Sequence, residues 1–393
     1  MKVLQIHNRY RERGGEDSVV DAEAELLRSA GHDVYQFQVE NPAGNIRAAG
    51  ALTLAAWNPS AARRVSRVAA SFRPDVAHVH NTWYTLSLSV LRALQRTHTP
   101  VVMTLHNYRL MCANAQLLRQ GKPCELCVGA SPMPGIRYRC YRGSVLASTA
   151  AAGSIALHRR RDSLGSEVDR FIAMSEFAVT RYVAAGLPPD RIDVKPHFVK
   201  DPGRRNSPPS ASQTVLYVGR LTPEKGLEVL LDAWAVARPG DLRLELIGDG
   251  PLRAHLEGRC VPGVSILGHL NSEDVRQHLV RARTVVLPSL WYETFGLSAA
   301  EALAAGTPVL GSDLGVTAER VGSLGSRWLV PPGDVAAWTS ALAGLTDGNA
   351  VDEAGRLGRS TFERHCDPEH GLRRLESVYV AALKHHRGRA PAG

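Results

Sequence analysis

Two glutamates, Glu293 and Glu301, flank the run Thr294-Phe-Gly-Leu-Ser-Ala-Ala300, and the same stretch closes on Gly306-Thr-Pro308. A strand is predicted to end at Pro288, a loop to present Glu293, and a helix to begin around Phe295 to Ser298. The free N–H groups of that first turn, with the positive end of the helix dipole, suit a phosphate. Gly296 removes a side chain where a phosphate oxygen would approach. Carboxylates on either side can accept hydrogen bonds from a ribose and from a second sugar ring. Taken alone, Glu301 also reads as a solvated helix residue. A second stretch, Val215-Leu-Tyr-Val-Gly219-Arg220-Leu-Thr-Pro-Glu-Lys225-Gly226, delivers two cations after a strand. Arg220 is a fork and Lys225 a point charge, which together fit a diphosphate.

Positioning these groups requires strands that end in loops, and the chain supplies them. Short β-branched runs alternate with helical patterns, the signature of parallel α/β sheets covered on both faces. Strands are predicted near Val3–His7, Val34–Gln38, Val76–His80, Val101–Leu105 and Phe171–Met174. A second set lies near Val215–Val218, Leu242–Ile247, Val264–Leu267, Thr284–Leu287 and Pro308–Gly311. With 393 residues, two domains are expected. The predicted boundaries are a first domain at 1–200, a Pro- and Ser-rich linker at 201–213, a second domain at 214–368 and a terminal helix from 369. The fold class is α/β, with two Rossmann-like domains facing each other across a ligand cleft.

The Glu-x7-Glu spacing, followed by Ala-x-Ala-x-Gly306-x-Pro308 and preceded by Gly219-Arg220…Lys225-Gly226, resembles retaining glycosyltransferases of the GT-B fold, family 4. The resemblance implies an NDP-sugar donor held mainly by the second domain, with the terminal helix returning to the first. It implies that Glu293 contacts the donor sugar and Glu301 the ribose hydroxyls. Arg220 and Lys225 would hold the diphosphate, with Gly219 and the backbone of Phe295, Gly296 and Leu297 beside it. Gly268, His269 and Leu270 match the position of the base, for which uridine is the default.

In the first half, Gly14 and Gly15 after the first strand resemble the family's glycine loop. Thr104-Leu-His106 resembles its Thr-x-His segment, whose His touches the donor sugar. The ends of the reaction are an unknown acceptor and retention of anomeric configuration, with the leaving phosphate taking the acceptor proton. The sequence has no Asp-x-Asp triplet, so fixed cations rather than a catalytic metal are expected at the diphosphate. A sugar-nucleotide epimerase or hydrolase of the same fold is the alternative, since Glu293 and His106 could act as acid and base. His80 reads as a structural histidine.

Up to Arg205 the chain holds 28 basic and 17 acidic residues, and the remainder holds 19 and 21. This excess suggests an anionic partner on that side. Arg63, Arg64 and Arg67 share one face of a helix predicted from Asn58 to Phe72, with Ala61, Val65, Val68 and Phe72 toward the sheet. That face is the candidate for peripheral contact with an anionic membrane. A nucleic-acid binder is a remote alternative, disfavoured because the basic residues are scattered and no nucleic-acid fingerprint occurs. The chain lacks a signal-peptide pattern or a spanning apolar run, which reads as cytoplasmic. Cys112, Cys124, Cys127 and Cys140, with a central C-x2-C, are candidates for a structural zinc site.

Overall fold

The computed structural model describes residues 1–10, 14–42 and 52–389. Arg11 to Arg13 of the glycine loop, and the stretch 43–51, lie outside the described residues. The chain divides into two compact units. The first comprises Met1–Leu117, Cys124–Lys195 and Leu372–Gly393; the second comprises Leu118–Pro123 and Pro196–Gly371. Among the described residues, no helix is long and apolar enough to cross a membrane.

The first unit is built on β1 (Lys2–Arg9), β2 (Asp33–Glu40), β3 (Val76–Val79), β4 (Val101–Thr104), β7 (Arg170–Ala173) and β8 (Ile192–Val194). They pair in the order β2-β1-β3-β4-β7-β8, every pair parallel. Val3, Leu4, Ile6, Val76, Val79, Val102 and Ile172 are fully buried or nearly so. Strands covered on both faces must be apolar in nearly every position, which is why these runs do not alternate. A two-stranded antiparallel hairpin, β5 (Leu118–Arg119) with β6 (Lys122–Pro123), interrupts the cysteine-bearing segment.

The second unit carries β9 (Thr214–Val218), β10 (Arg243–Ile247), β11 (Val264–Gly268), β12 (Thr284–Leu287), β13 (Val309–Ser312) and β14 (Leu329–Val330). Their order is β11-β10-β9-β12-β13-β14, again all parallel. In each sheet the chain fills one side of its first strand and then turns to the other. Ligands of open parallel sheets sit beyond the carboxyl ends of the strands at that reversal. The reversal falls between β1 and β3 in the first unit and between β9 and β12 in the second.

Ten of the strands match the predicted runs to within two residues at each end. β8 and β14, with three and two residues, are too short to show a period and were not predicted. The helix Pro59–Phe72 begins one residue after its cap, Asn58, whose Oδ1 accepts from the N–H groups of Ser60 and Ala61. Its buried positions are Ala61, Val65 and Ala69, whereas Val68 and Phe72 are only half-buried. Ala61 and Val65 thus lie as expected, and Ala69 takes the fully buried place expected for Val68. Phe72 faces the sheet, its ring packed against Tyr35 of β2 at 5.6 Å between centroids. Arg63, Arg64 and Arg67 are exposed as expected, with Arg64 lying over the Phe37 ring. The segment read as a linker is tied down. Arg205 donates to Thr307 Oγ1 at 2.6 Å and to the Ala282 carbonyl at 3.0 Å, and Ser210 Oγ donates to Asp352 at 2.7 Å.

Glycines decide how close the loops of the second unit can come. Gly226 has φ 70°, and a Cβ there would lie 2.0 Å from the Pro288 carbonyl oxygen. Gly248 has φ 142°, and its Cβ would lie 1.9 Å from the Gly219 carbonyl oxygen. Neither neighbour is a flexible side-chain end, so the loops after β9, β10 and β12 meet only because these side chains are absent. Gly226→Ala is expected to cost ~2 kcal/mol or more, from overpacking and a left-handed alanine together. Urea unfolding of the purified variant checks this, and an unchanged midpoint would refute the close approach.

Candidate active site

The reversal point of the second sheet holds the Glu293 and Lys225 of the sequence pattern in direct contact. Lys225 Nζ donates to Glu293 Oε1 at 2.6 Å, and the same oxygen accepts from Ser289 Oγ at 2.8 Å and Trp291 Nε1 at 3.1 Å. Burial by itself would raise the Glu293 carboxyl. Lys225, with Ser289 and Trp291, overcomes it and holds the group below the ordinary carboxylate range. Lys225 also stands over the Trp291 ring, 5.4 Å from its centroid. Ser289 and Trp291 were not singled out in the sequence; their signal was only their nearness to Glu293.

Arg220, by contrast, is largely exposed and donates to Glu224 at 3.3 Å, so it is available to an incoming anion. Gly219 sits where a Cβ would meet the Tyr217 hydroxyl at 2.8 Å. The helix Leu297–Ala304 starts after Gly296, which has φ 71° and provides its cap. Ser298 Oγ donates to the Val218 carbonyl at 2.8 Å, fastening the first turn of this helix to the end of β9. The Phe295 side chain is buried between the His197 ring at 4.8 Å and the Arg320 guanidinium at 4.3 Å, leaving only its backbone for a ligand. Glu301 is half-buried and lines a small pocket with Lys200, Pro202, Arg276 and Leu279. Burial pushes its carboxyl up to about 7, against the pull of Arg276. Gly268 closes β11 at φ 73°, His269 is exposed and Leu270 is half-buried.

The first unit presents a second constellation at its own reversal point. The helix Gly15–Ser29 is capped at Gly14, whose N–H donates to Asp17 Oδ2 at 2.9 Å, and Gly15 is exposed. Its buried face reads Asp17, Val20, Glu23, Ala24, Leu27. Two carboxylates on the core side of an amphipathic helix need partners. Asp17 Oδ1 lies 2.8 Å from His7 Nε2. Glu23 faces Lys195 Nζ at 3.1 Å, His78 Nδ1 at 3.0 Å and His80 Nε2 at 3.6 Å. His80 Nδ1 in turn lies 2.9 Å from His106 Nε2.

A buried line of polar groups therefore runs from Lys195 through Glu23 and His80 to His106. Burial, then His80 and His7, push the His106 imidazole well below the ordinary range, so it is neutral at pH 7. His80 is thus a hydrogen-bonded neighbour of His106. The missed members, Glu23, His78 and Lys195, had one legible signal: His78 and His80 are two apart on a strand and so share a face.

Glu23, His78 and His80 also bring their ligand atoms within 4.8 Å of one another. Lys195 already supplies the cation there, so an ion network describes the cluster better than a metal centre. The four cysteines expected to hold zinc are free thiols, and they form no such group among the described residues. The β5–β6 hairpin intervenes between Cys112 and Cys124, and the Cys112 thiol is engaged by Asn114 at 2.9 Å. Cys127 has Cys112 and Cys124 nearby but is pushed up mainly by burial, as a packed thiol would be.

Two parallel Rossmann-like sheets, with cations, a buried carboxylate and a helix start at the reversal of the second, define a GT-B glycosyltransferase. The comparisons agree. Residues 14–197 match the family described as Glycosyl transferase 4-like domain, and residues 212–347 match Glycosyl transferases group 1. The chain belongs to the GT-B glycosyltransferases of family 4 type.

A phosphatidyl-myo-inositol mannosyltransferase of Mycolicibacterium smegmatis is 27% identical over 90% of this chain and 86% of its own. A 2-deoxystreptamine N-acetyl-D-glucosaminyltransferase of Streptomyces fradiae is 29% identical over 79% of this chain and 74% of its own. An uncharacterized glycosyltransferase of Methanocaldococcus jannaschii is 36% identical, over 32% of this chain and 34% of its own. Anabaena HepE, solved with UDP and glucose, superposes with TM-score 0.67 at 17% identity over 97% of this chain and 100% of its own. A sucrose-phosphate synthase from Thermosynechococcus elongatus gives TM-score 0.69 at 19% identity, covering 98% and 99% of the two chains. The epimerase, hydrolase and nucleic-acid alternatives gain nothing from these matches.

Glu23 and Lys195 are each 2% exposed, so removing one strands the other in the core. Glu23→Ala is expected to cost ~3–5 kcal/mol, and the double variant Glu23→Leu/Lys195→Met to recover most of it. Lys195 and the two imidazoles hold the Glu23 carboxyl well below its ordinary range despite its burial. Its contribution is therefore full above the unfolded value near pH 4.3 and is lost as pH falls toward the folded one. Urea unfolding at pH 7 and pH 4 should show a steeper acid loss in the wild type than in the double variant.

Proposed function

We propose that the chain transfers a sugar from a nucleoside-diphosphate donor, with UDP as the nucleotide, to a hydroxyl acceptor with retention of configuration. The observation that carries this is the Lys225–Glu293 contact at the reversal point of the second sheet, within the Glu-x7-Glu pattern. HepE is solved with UDP and glucose, which supports the choice of nucleotide.

In this reading Lys225 and Arg220 hold the diphosphate, beside Gly219 and the backbone of Phe295, Gly296 and Leu297. Glu293 contacts the donor sugar, Glu301 takes the ribose hydroxyls, and Gly268, His269 and Leu270 neighbour the base. His106 and the Gly14-Gly15 turn of the first unit are assigned to the sugar and its phosphate on the resemblance. The bond between the anomeric carbon and the diphosphate oxygen breaks with its electron pair leaving on the phosphate. The acceptor oxygen forms the new bond on the same face, and its proton passes to the departing phosphate oxygen. Developing negative charge is met by groups already in place, the arrangement that contributes most to such steps. Lys225 is the strongest candidate because Glu293 and Trp291 fix its ammonium before the donor arrives.

A donor screen by thermal unfolding tests the reading. A nucleotide-sugar at 100 times its Kd should add ~2.7 kcal/mol of stability. Lys225→Ala should abolish that shift, and Glu293→Gln should lower the transfer rate by about a hundredfold. Release of free nucleotide only when an acceptor is present would separate transfer from hydrolysis. UDP-glucose carries no group that titrates near neutrality, so the pH dependence of its binding reads the protein. Accepting hydroxyl hydrogen bonds favours the ionised Glu301. Affinity should therefore rise as pH climbs through about 7 and level off above it. Glu301→Gln should flatten that profile; an unchanged profile would remove Glu301 from the nucleotide.

Contact with an anionic membrane through Arg63, Arg64 and Arg67 is a separate proposal, supported by their shared exposure on one helix. Salt-sensitive binding to anionic vesicles, weakened by changing all three to Ser, is the expected result; no binding at low salt would dismiss it.

A further inference from the structure

The first unit contains a pocket of about 690 Å³, counted to its open mouth, of which the donor assignment uses only His106. It lies at the carboxyl ends of β3 and β4, and its lining includes His106, Glu16, Arg109 and Arg159. Leu88, Met103, Leu105, Ile155 and Leu164 supply an apolar wall.

Arg109 is held in an unusual way. Its guanidinium lies against two aromatic rings set edge to face, 4.6 Å from the Trp83 centroid and 4.7 Å from that of Tyr141. The two rings are themselves joined by Trp83 Nε1 donating to the Tyr141 hydroxyl at 3.0 Å. A second cation, Arg142, stands 5.3 Å from the same Tyr141 ring. Nη1 of Arg109 donates to the Ala113 carbonyl. Its Nε and Nη2 donors have no protein acceptor among the described residues, and no carboxylate pairs with it there. Arg159 is alike: it donates to the carbonyls of Cys127 and Ala130 and has no ion pair among the described residues.

Aromatic faces stabilise a guanidinium and leave its edge donors unused. The planar fork of an arginine matches the paired oxygens of a carboxylate or phosphate. The nearest acid in the lining is Glu16, whose carboxyl burial raises to about 7 and whose Oε2 already accepts from the Tyr10 hydroxyl at 2.9 Å. His158 is pushed down by burial, so it adds no charge at pH 7. The pocket is thus cationic through Arg109 and Arg159, with Glu16 only partly opposing them.

We propose that this pocket takes an anionic acceptor, a molecule bearing a phosphate or carboxylate that Arg109 grips through its open edge while Arg159 adds charge. The proposal names the acceptor class for the transfer proposed above and rests on that reading. Its apolar wall and neutral His106 would face the uncharged part of the same molecule.

Calorimetric titration of the full chain tests it with glycerol 3-phosphate and glucuronate as anionic probes, and glycerol and glucose as neutral ones. At least one anion should bind about tenfold more tightly than its neutral counterpart, and the pair of anions distinguishes phosphate from carboxylate. Arg109→Gln should remove about tenfold of that affinity while UDP binding to the same protein stays unchanged. Arg109→Lys keeps the charge but not the fork and should fall between. Arg159→Gln carries the test should the Arg109 variants unfold, because its partners are carbonyls only. Anions that bind no better than neutral probes, or variants that bind them like the wild type, would overturn the proposal. Loss of UDP binding with anion selectivity intact would instead sink the glycosyltransferase reading and leave the anion site standing.

Discussion

Glu23 sits in the core of the first unit as a charged carboxylate, and much of that unit answers to it. An ionised acid so deep is tolerated only if cations and hydrogen bonds surround it. Lys195 arrives from just beyond β8, His78 and His80 from β3, and Gln5 from β1, where its Nε2 donates at 3.3 Å. Each of these anchors one strand of the sheet to the helix Gly15–Ser29. Tyr379 of the last helix joins as well, its hydroxyl 2.9 Å from His78 Nδ1, so the end of the chain is fastened to the same group. The network holds His106 in one orientation through His80, which links the polar core to the rim where chemistry is proposed.

The second unit solves a related problem differently. Its Lys225–Glu293 pair stands at the rim rather than in the core, and the constraint there is close approach. Gly226 and Gly248 let three loops touch along their backbones, and the Lys225–Glu293 pair then bridges the loops after β9 and β12. Trp291 and Ser289 complete the shell of donors around one carboxylate oxygen. Those donors keep Glu293 ionised despite its burial.

Arg109 and Glu293 illustrate two ways of storing a charge. Glu293 is neutralised by an opposite charge at hydrogen-bond distance. Arg109 is stabilised by aromatic faces, which lower the cost of burial but leave the charge unanswered. The first arrangement positions a group for a reaction; the second leaves binding capacity for something that arrives from outside.

The sequence by itself determined most of the elements and the stretches that meet at the reversal of the second sheet. Apolar β-branched runs fix parallel strands because both faces must be dry, and glycine and proline mark their ends. Glu293, Glu301, Arg220 and Lys225 were legible because they lie within short stretches whose spacing survives folding. The short strands β8 and β14 were not legible, since two or three residues carry no period. On the helix Pro59–Phe72, Ala61 and Val65 were placed as found, and only packing decided that Ala69 rather than Val68 is fully buried. Tertiary structure alone decided that Glu23, His78 and Lys195, up to 172 positions apart, share one charge, and that Trp83 and Tyr141 both lie against Arg109. Side chains from distant strands meet only when the sheet order is set, and nothing local in the chain records which of them will face one another.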